Sequence, residues 1–196
     1  MLFQASAMVI LVAFYGFYIS KLLLLNRRSI RTNQAGVGNK PRRVLLVERT
    51  MSVATILAIV MELGSIFLVK HPPIIPVRIA GLLTGVIAVI FFASATITMK
   101  DSWRVGIPEE RTALVTDGIY QWSRNPAFVG FDLLYVSMCL LFFNIPLLAA
   151  SLWAAVMLHL QILQEEDHMR TMIGEEYVAY TRRTLRYFGK RQMPNR

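Results

Sequence analysis

Long, almost uncharged apolar runs limit what this chain can fold into more than any other feature of its sequence. A helix that crosses a membrane needs about 20 mostly apolar residues, and five segments approach that length. They are residues 1–25, 51–69, 75–99, 127–143 and 146–163. Charged residues make up only 17% of the chain, whereas an ordinary soluble domain contains about 25%. The sequence therefore predicts an all-α integral membrane bundle of five transmembrane helices, in a single domain over residues 1–196.

The distribution of basic residues between these runs predicts the orientation in the membrane. With the amino terminus outside the cell and the carboxy terminus in the cytoplasm, 18 of the 21 Lys and Arg residues fall in cytoplasmic segments, as the positive-inside rule requires. Residues 100–125 and the residues after 163 then lie at the same membrane surface. We expect residues 100–190 to build one cytoplasmic cofactor pocket there.

The last two apolar runs predict a helical hairpin, and the residues after it predict a surface helix. Only two residues separate the runs, and Pro146 is tolerated in the first turn of the returning helix. Both runs are short for a span, so we expect an opening for lipid near this hairpin. Residues 175–186 place Tyr177 and Tyr180 on one side and basic residues on the other, a pattern typical of an amphipathic helix at a membrane surface.

Several motifs that would identify a reaction directly are missing from the sequence. It contains no Walker loop, no GxSxG elbow, no HExxH motif and no paired CxxC. Glu165 and His168 form a single Glu-x-x-His pair, whereas a carboxylate-bridged metal pair needs two copies on four helices. We therefore expect no bound metal, and nothing in the sequence indicates a nucleic-acid partner.

Acidic residues inside or beside the apolar runs are candidate site residues, because a charge in a membrane is costly. Glu165 and Glu166 lie where the fifth run becomes polar, a pattern that solvated charges at a helix end would also give. Glu62 lies near the middle of the second run, where we expect a structural pairing between helices. For Asp132, lining a pocket and hydrogen bonding to a neighbour remain equally open.

Four short motifs, in order, resemble one family of membrane enzymes. They are Leu114-Val115-Thr116-x-Gly118-Ile119-Tyr120, Arg124-Asn125-Pro126-x-Phe128-x-Gly130, Glu165-Glu166 and Gly174-Glu175-Glu176-Tyr177-x-x-Tyr180. Their order and spacing are similar to those of the isoprenylcysteine carboxyl methyltransferase family and its phospholipid methyltransferase relatives. The likeness covers residues 114 to about 186 and is close to a prokaryotic isoprenylcysteine enzyme.

This resemblance implies that S-adenosylmethionine is the cofactor. The family's cofactor contacts match Thr112, Ala113, Leu114, Val115, Tyr120, Asn125, Pro126, Ala127, Phe128 and Glu165. The charges agree with this assignment, because a sulfonium cation is stabilised by a carboxylate and by aromatic faces. The cofactor's own carboxylate needs cationic or N–H donors, which Arg124 and the first turn of the fourth helix could supply.

The resemblance also implies a lipophilic methyl acceptor that enters from the bilayer between helices. The carboxylate of a prenylated cysteine is the acceptor that the family suggests first, and a phospholipid or a small amphiphile is the alternative. Gln161 stands where the family has a substrate-contacting arginine, and it is, with Asp132, a candidate substrate contact. An amine acceptor would need a general base, for which Glu166 and His159 are the candidates; Arg124 completes the candidate catalytic set.

Two other interpretations of the sequence remain. Sterol-type reductases that use NADPH share a similar Arg-x-Pro-x-aromatic-x-Gly run, although an acidic residue usually follows it where this chain has Phe131. A non-catalytic membrane scaffold would also have apolar spans. Membrane lipids are expected partners in every case, and the oligomeric state is left open.

Overall fold

The computed structural model describes residues 1–30, 32–108 and 113–191, and most of these residues are helical. No β-strand occurs in the described part of the chain, in agreement with the predicted all-α class. The helices are α1 (Leu2–Arg27), α2 (Arg42–Leu68), α3 (Ile75–Met99), α4 (Pro126–Phe142), α5 (Ile145–Ile173) and α6 (Glu175–Arg183). Short 3-10 turns occupy Lys100–Ser102 and Gly118–Gln121.

Four of the helices are long and apolar enough to cross a membrane, and these are α1, α2, α3 and α5. The fifth predicted span corresponds to α4, which has only 17 residues and is shorter than the roughly 20 that a span needs. The chain is therefore a multi-pass membrane protein with four clear candidate spans.

Two helices extend well beyond the apolar runs that predicted them. Helix α2 begins nine residues earlier than predicted, directly after Pro41, and α5 continues ten residues past residue 163 to Ile173. Hydropathy detects only the part of a helix that lies in apolar surroundings, so these polar extensions were not counted. The ends of α2 and α5 that carry them lie at the same end of the bundle, which we call the pocket end.

The short helix α4 lies at the centre of the bundle, packed closely on α3. A Cβ atom at Gly81 would come within 2.9 Å of the Leu141 side chain, and one at Gly85 within 2.7 Å of Ser137 Oγ. The absence of side chains at these two positions allows the close approach. Ser137 Oγ also donates a 2.7 Å hydrogen bond to the carbonyl of Gly81, which satisfies a polar group inside the apolar layer.

The turn between α4 and α5 closes the opposite end of the bundle and confirms the predicted hairpin. Asn144 caps α5, because its Oδ1 accepts a 2.9 Å hydrogen bond from the backbone N–H of Leu147. Its Nδ2 donates to Ser65 Oγ of α2 at 2.8 Å. The hairpin turn is therefore tied to a neighbouring helix and lies far from the pocket end.

Candidate functional site

A cavity at the pocket end brings together residues that are more than 50 positions apart in the sequence. It is lined by nine of the ten predicted cofactor contacts, namely Ala113, Leu114, Val115, Tyr120, Asn125, Pro126, Ala127, Phe128 and Glu165. The tenth, Thr112, lies outside the described residues. Arg124 and Glu166 line the same cavity. The regions around Tyr120 and Glu165 therefore face one cavity, which we call the loop cavity.

The wall of the loop cavity is held by contacts between the 3-10 turn and helix α6. The hydroxyl of Tyr180 donates a 2.6 Å hydrogen bond to the carbonyl of Tyr120. Burial raises the pKa of Tyr177 to about 12 and shifts the pKa of both Tyr120 and Tyr180 in the same direction. These three phenols are consequently neutral at physiological pH, and they present uncharged aromatic surface to the cavity.

Glu166 is the centre of a buried ionic network. Its Oε1 accepts hydrogen bonds from Arg124 Nε at 3.1 Å, from Arg124 Nη2 at 2.8 Å and from Asn125 Nδ2 at 3.0 Å. Its Oε2 accepts two more from Arg186, at 3.1 and 3.0 Å. The side chain of Glu166 is 5% exposed and that of Arg124 6% exposed. Both carboxylate oxygens are thus occupied, which leaves no acceptor site for a substrate proton.

Arg124 is equally committed to the protein. Besides its two bonds to Glu166, its Nη1 donates to the carbonyl of Thr184 at 2.8 Å. The sequence suggested Arg124 as a partner for the cofactor's carboxylate, but the structure directs its donors to Glu166 and the backbone. The first-turn N–H groups of α4 remain as anion donors, since Asn125 at the N-cap position makes no side-chain capping bond.

Glu165, the neighbour of Glu166, has a different environment. Among the described residues its carboxylate accepts one hydrogen bond, at 2.9 Å from Gln161 Nε2. Gln161 is fully buried, and its Oε1 has no described hydrogen-bond partner. Glu165 and Gln161 therefore offer free oxygen acceptors to a ligand.

A second and larger cavity of about 670 Å³, which we call the slot, joins the loop cavity at Glu165. The two cavities share the lining residues Trp103, Arg104, Gly106, Ala127, Phe128 and Glu165. Along α2 the slot extends from Met51 to Leu63, about 18 Å at the helical rise per residue. Its lining is mostly apolar. Val12 of α1 and Ile56 of α2 line the slot and are also exposed on the bundle surface.

The slot consequently opens sideways between α1 and α2. The sequence suggested an opening for lipid near the hairpin of α4 and α5, and the slot lies elsewhere, between α1 and α2. Membrane-facing and core-facing positions of these helices are equally apolar, so the sequence contained no pattern that could locate the gap between α1 and α2.

Two loops cover both cavities at the pocket end and are fastened to Glu48, a fully buried residue of α2. Glu48 accepts hydrogen bonds from Gly36 N and Ile107 N, each at 2.7 Å, and from Lys40 Nζ at 2.9 Å. Gly106 has φ +82, and a Cβ there would lie 2.7 Å from the backbone of Ala35. The covering loops, residues 32–40 and 103–108, therefore meet in close contact over the site.

Two of the predicted site residues line neither of these cavities. Nδ1 of His159 hydrogen bonds the hydroxyl of Tyr187 on the outer side of α5. The Oδ1 atom of Asp132 is buried with no hydrogen-bond partner among the described residues. The structure thus brings Glu166, Arg124 and Gln161 to the site, and separates His159 and Asp132 from it.

Sequence reasoning missed Arg186, Trp103 and the Glu48–Lys40 pair. Arg186 is one of seven basic residues after residue 163, and nothing in its neighbours distinguishes it from the others. Glu48 lies in the polar extension of α2, where a carboxylate more commonly faces water. An acidic residue within a segment of basic residues was the one sequence feature that could have drawn attention to it.

The chain was compared with models of known protein families. A family model described as phospholipid methyltransferase matches residues 77–176, slightly more than half of the chain. The match runs from the start of α3 to the first turn of α6 and includes Arg124, Glu165 and Glu166. No curated protein matches the chain.

Proposed function

We propose that this protein uses S-adenosylmethionine to methylate a membrane lipid. The chain belongs to the phospholipid methyltransferase family, which is a family of membrane methyltransferases with lipophilic substrates. The observation that carries this proposal is the junction at Glu165, where the loop cavity with its nine predicted cofactor contacts meets an apolar slot. At this junction a cofactor that enters from the aqueous side would meet a lipophilic acceptor that enters from the bilayer.

The residues of the loop cavity fit the proposed cofactor. Glu165 would supply a carboxylate to a sulfonium cation, and the neutral phenols of Tyr120, Tyr177 and Tyr180 would supply aromatic faces. The uncapped N–H groups of α4 suit the cofactor's carboxylate. When bound, S-adenosylmethionine supplies an electrophilic methyl group, so the protein has to align the acceptor and exclude water.

The slot supports an acceptor with a hydrocarbon chain. Its depth of about 18 Å is close to one half of a bilayer core that is about 30 Å thick. A lipid could slide between α1 and α2 with its chain in the slot and its head group at Glu165. We propose this as the entry route, in place of the hairpin.

The junction favours a head group that donates hydrogen bonds. Within the described residues, the nearby cations Arg124 and Arg186 bind Glu166, and Lys40 binds Glu48. Arg104, which lines both cavities, donates to the carbonyls of Asp101 and Trp103. The free oxygen acceptors of Glu165 and Gln161 suit an ammonium group better than a carboxylate. An amine-bearing lipid is therefore our first candidate acceptor.

The prenylcysteine carboxylate that the motif resemblance suggested is the second candidate. The observation in its favour is that Gln161, although neutral, can donate a hydrogen bond to a carboxylate through its amide nitrogen. In the structure that nitrogen already donates to Glu165. The second candidate thus requires Gln161 to change partner. The matched family is one of methyltransferases, which disfavours the NADPH-dependent reductase.

We assign the proton transfer to Glu165. An ammonium group has no lone pair, so it would have to pass a proton to a protein group before its nitrogen attacks the methyl group. The nitrogen–carbon bond would then form as the methyl–sulfur bond breaks, with its electron pair left on sulfur. Glu165 lies at the junction with a free oxygen, whereas Glu166 has none. In this scheme Glu166 is a positioning residue that holds Arg124 and Asn125, and His159 has no role in the reaction.

The proposed topology retains the five crossings and the cytoplasmic pocket predicted from the sequence. Helix α4 would be the fifth crossing, in a locally thin part of the bilayer. The sequence segments 26–50, 100–125 and those after residue 163 contain 18 of the 21 Lys and Arg residues, which supports a cytoplasmic location for the pocket end and for the carboxy terminus.

The deciding experiment measures transfer of labelled methyl groups from S-adenosylmethionine by the purified protein in lipid nanodiscs. The panel consists of phosphatidylethanolamine, a farnesylated cysteine and a small amphiphilic amine. We expect methylation of the amine-bearing lipid, and loss of it in Glu165→Gln. Labelling of farnesylcysteine alone would support the second candidate. The proposed function would be refuted if no acceptor were labelled and S-adenosylmethionine did not raise the melting temperature.

A further inference from the structure

The segment after α6 folds back on itself and presents two aromatic side chains on the protein surface. Thr184 and Lys190 form an antiparallel bridge, and Leu185 N donates to the carbonyl of Gly189 at 2.9 Å. The tip of this C-terminal turn, residues 184–190, contains Tyr187 and Phe188, which are 39% and 58% exposed. Exposed apolar side chains that form a contiguous patch mark a site of interaction with a protein or a membrane.

The tip lies against a membrane-spanning helix rather than in the aqueous phase. The ring centroid of Phe188 is 5.9 Å from that of Phe91 on α3. Phe91 precedes the end of α3 by eight residues, which is about 12 Å along the helix axis. Ile87 and Ile90, next to Phe91 on α3, are exposed on the bundle surface. The turn tip is therefore continuous with the lipid-facing side of α3.

Trp122 completes the aromatic surface and connects it to a cation. Its ring stacks on Phe188, with centroids 6.1 Å apart and an interplanar angle of 18°, and it is 48% exposed. Lys190 Nζ lies 4.6 Å from the Trp122 ring centroid. Half-exposed aromatic rings next to cations are the composition found at membrane–water interfaces.

The charge of the segment points to the kind of lipid. Residues 177–191 contain five Arg or Lys residues and no acidic residue. One of the five, Arg186, is bound to Glu166, whereas Arg182, Arg183, Lys190 and Arg191 are exposed. A row of exposed cations beside a lipid-facing aromatic tip is complementary to anionic head groups.

We propose that the C-terminal turn is a membrane anchor, with Trp122 and Phe188 inserted at the head-group level and Lys190 and Arg191 in contact with anionic phospholipids. This binding surface lies outside both cavities and goes beyond the proposed methyl transfer. It is also connected to the site. Arg124 N donates to the carbonyl of Leu185 at 3.1 Å, and Gly189 N donates to the carbonyl of Trp122 at 2.6 Å. Docking of the turn thus holds the loop that carries Arg124 and Asn125.

Fluorescence quenching by brominated lipids tests the insertion of Trp122. The chain has three tryptophans, so Trp153→Phe removes the other exposed one and leaves Trp103 and Trp122. We expect lipids brominated near the head-group end of the acyl chain to quench the emission, and Trp122→Phe on the same background to abolish most of that quenching. Trp103, which is 4% exposed and lines the slot, contributes equally to both samples.

Two outcomes of this measurement would overturn the proposal. Quenching of Trp122 by aqueous iodide but not by bromolipid would place the turn in water. Protection from both quenchers would show that a second copy of the chain covers the surface. Neither readout depends on methyl transfer, so failure here is distinguishable from failure of the proposed function.

The lipid charge is tested by melting temperature in nanodiscs with and without phosphatidylglycerol. We expect phosphatidylglycerol to raise the melting temperature of the wild type, and expect Lys190→Gln/Arg191→Gln to lose most of that rise. Arg42→Gln/Arg43→Gln is the matched control, because it removes two adjacent exposed cations at the same end of the bundle and should retain the rise. An equal rise in all three proteins would overturn the assignment of anionic lipid to this turn.

Discussion

Glu165 and Glu166 are neighbours in the chain with the same side chain, yet the fold uses them in opposite ways. Among the residues that the structure describes, Glu166 accepts five hydrogen bonds from three residues, and Glu165 accepts one, from Gln161. Successive residues of a helix point about 100° apart, so one carboxylate faces the loops of the pocket end and the other faces the cavity junction. A carboxylate whose oxygens all accept hydrogen bonds from the protein stabilises the fold. A carboxylate with a free oxygen can accept a hydrogen bond from a ligand.

The largest expected effect comes from removing the occupied carboxylate. In Glu166→Ala, Arg124 keeps its charge in a buried position without its partner. Removing one partner of a buried ion pair lowers the free energy of unfolding by about 3–5 kcal/mol. We expect the free energy of unfolding, measured by SDS titration in mixed micelles, to fall by that amount. Glu176→Ala, at an exposed acid in the first turn of α6, is the control and should change little. Wild-type stability in Glu166→Ala would contradict the distinction between the two carboxylates.

The converse variant, Glu165→Gln, should retain the fold and lose the reaction. We expect methyl transfer to an amine-bearing lipid to fall by about 10²-fold or more, the usual effect of losing a general base, while the melting temperature stays near that of the wild type. The rate is measured with labelled S-adenosylmethionine. If instead both variants lost stability and activity to the same extent, the two carboxylates would belong to one structural unit and Glu165 would not be the base.

Much of the fold could be read from the sequence, because apolar runs report directly on membrane helices. Residues 75–99 predicted the bounds of α3 as the structure has them. The motif resemblance found nine residues that line one cavity, because a family motif already contains tertiary information that periodicity lacks.

The division of roles between Glu165 and Glu166 could not be predicted in the same way. It depends on which of several similar basic residues reaches Glu166, and Arg186 does so through the fold of the C-terminal turn. Its neighbours Arg182 and Arg183 look equally suitable in the sequence and remain exposed. The slot was also hidden, since α1 is apolar on its lipid side as well as on its core side.

A double-mutant cycle tests whether Arg186 acts on Glu166 alone. The side chain of Arg186 is 35% exposed, so its pairing is partly screened and should be worth about 1 kcal/mol. We expect Arg186→Gln and Glu166→Gln to be coupled by about that free energy of unfolding. The cycle of Arg186→Gln with Glu165→Gln should be additive within about 0.5 kcal/mol, as expected for residues without a shared partner. Coupling of equal size in both cycles would show that the two carboxylates are not independent.

The smallest effect is expected at Gln161, the one described donor to Glu165. Gln161→Met removes that donor and also the buried Oε1 atom that lacks a partner, so the free energy of unfolding should change by less than about 1 kcal/mol. Loss of one orienting hydrogen bond, worth about 0.5–1.5 kcal/mol, predicts a drop of roughly threefold to tenfold in methyl transfer.

Gln161→Arg sharpens the comparison further. A guanidinium beside Glu165 would occupy its free oxygen, as Arg124 occupies those of Glu166, and amine methylation should then fall more than in Gln161→Met. If transfer to a carboxylate acceptor rises in Gln161→Arg while amine transfer falls, the charge at this position selects the head group. If both acceptors respond alike, Gln161 only fills space at the junction.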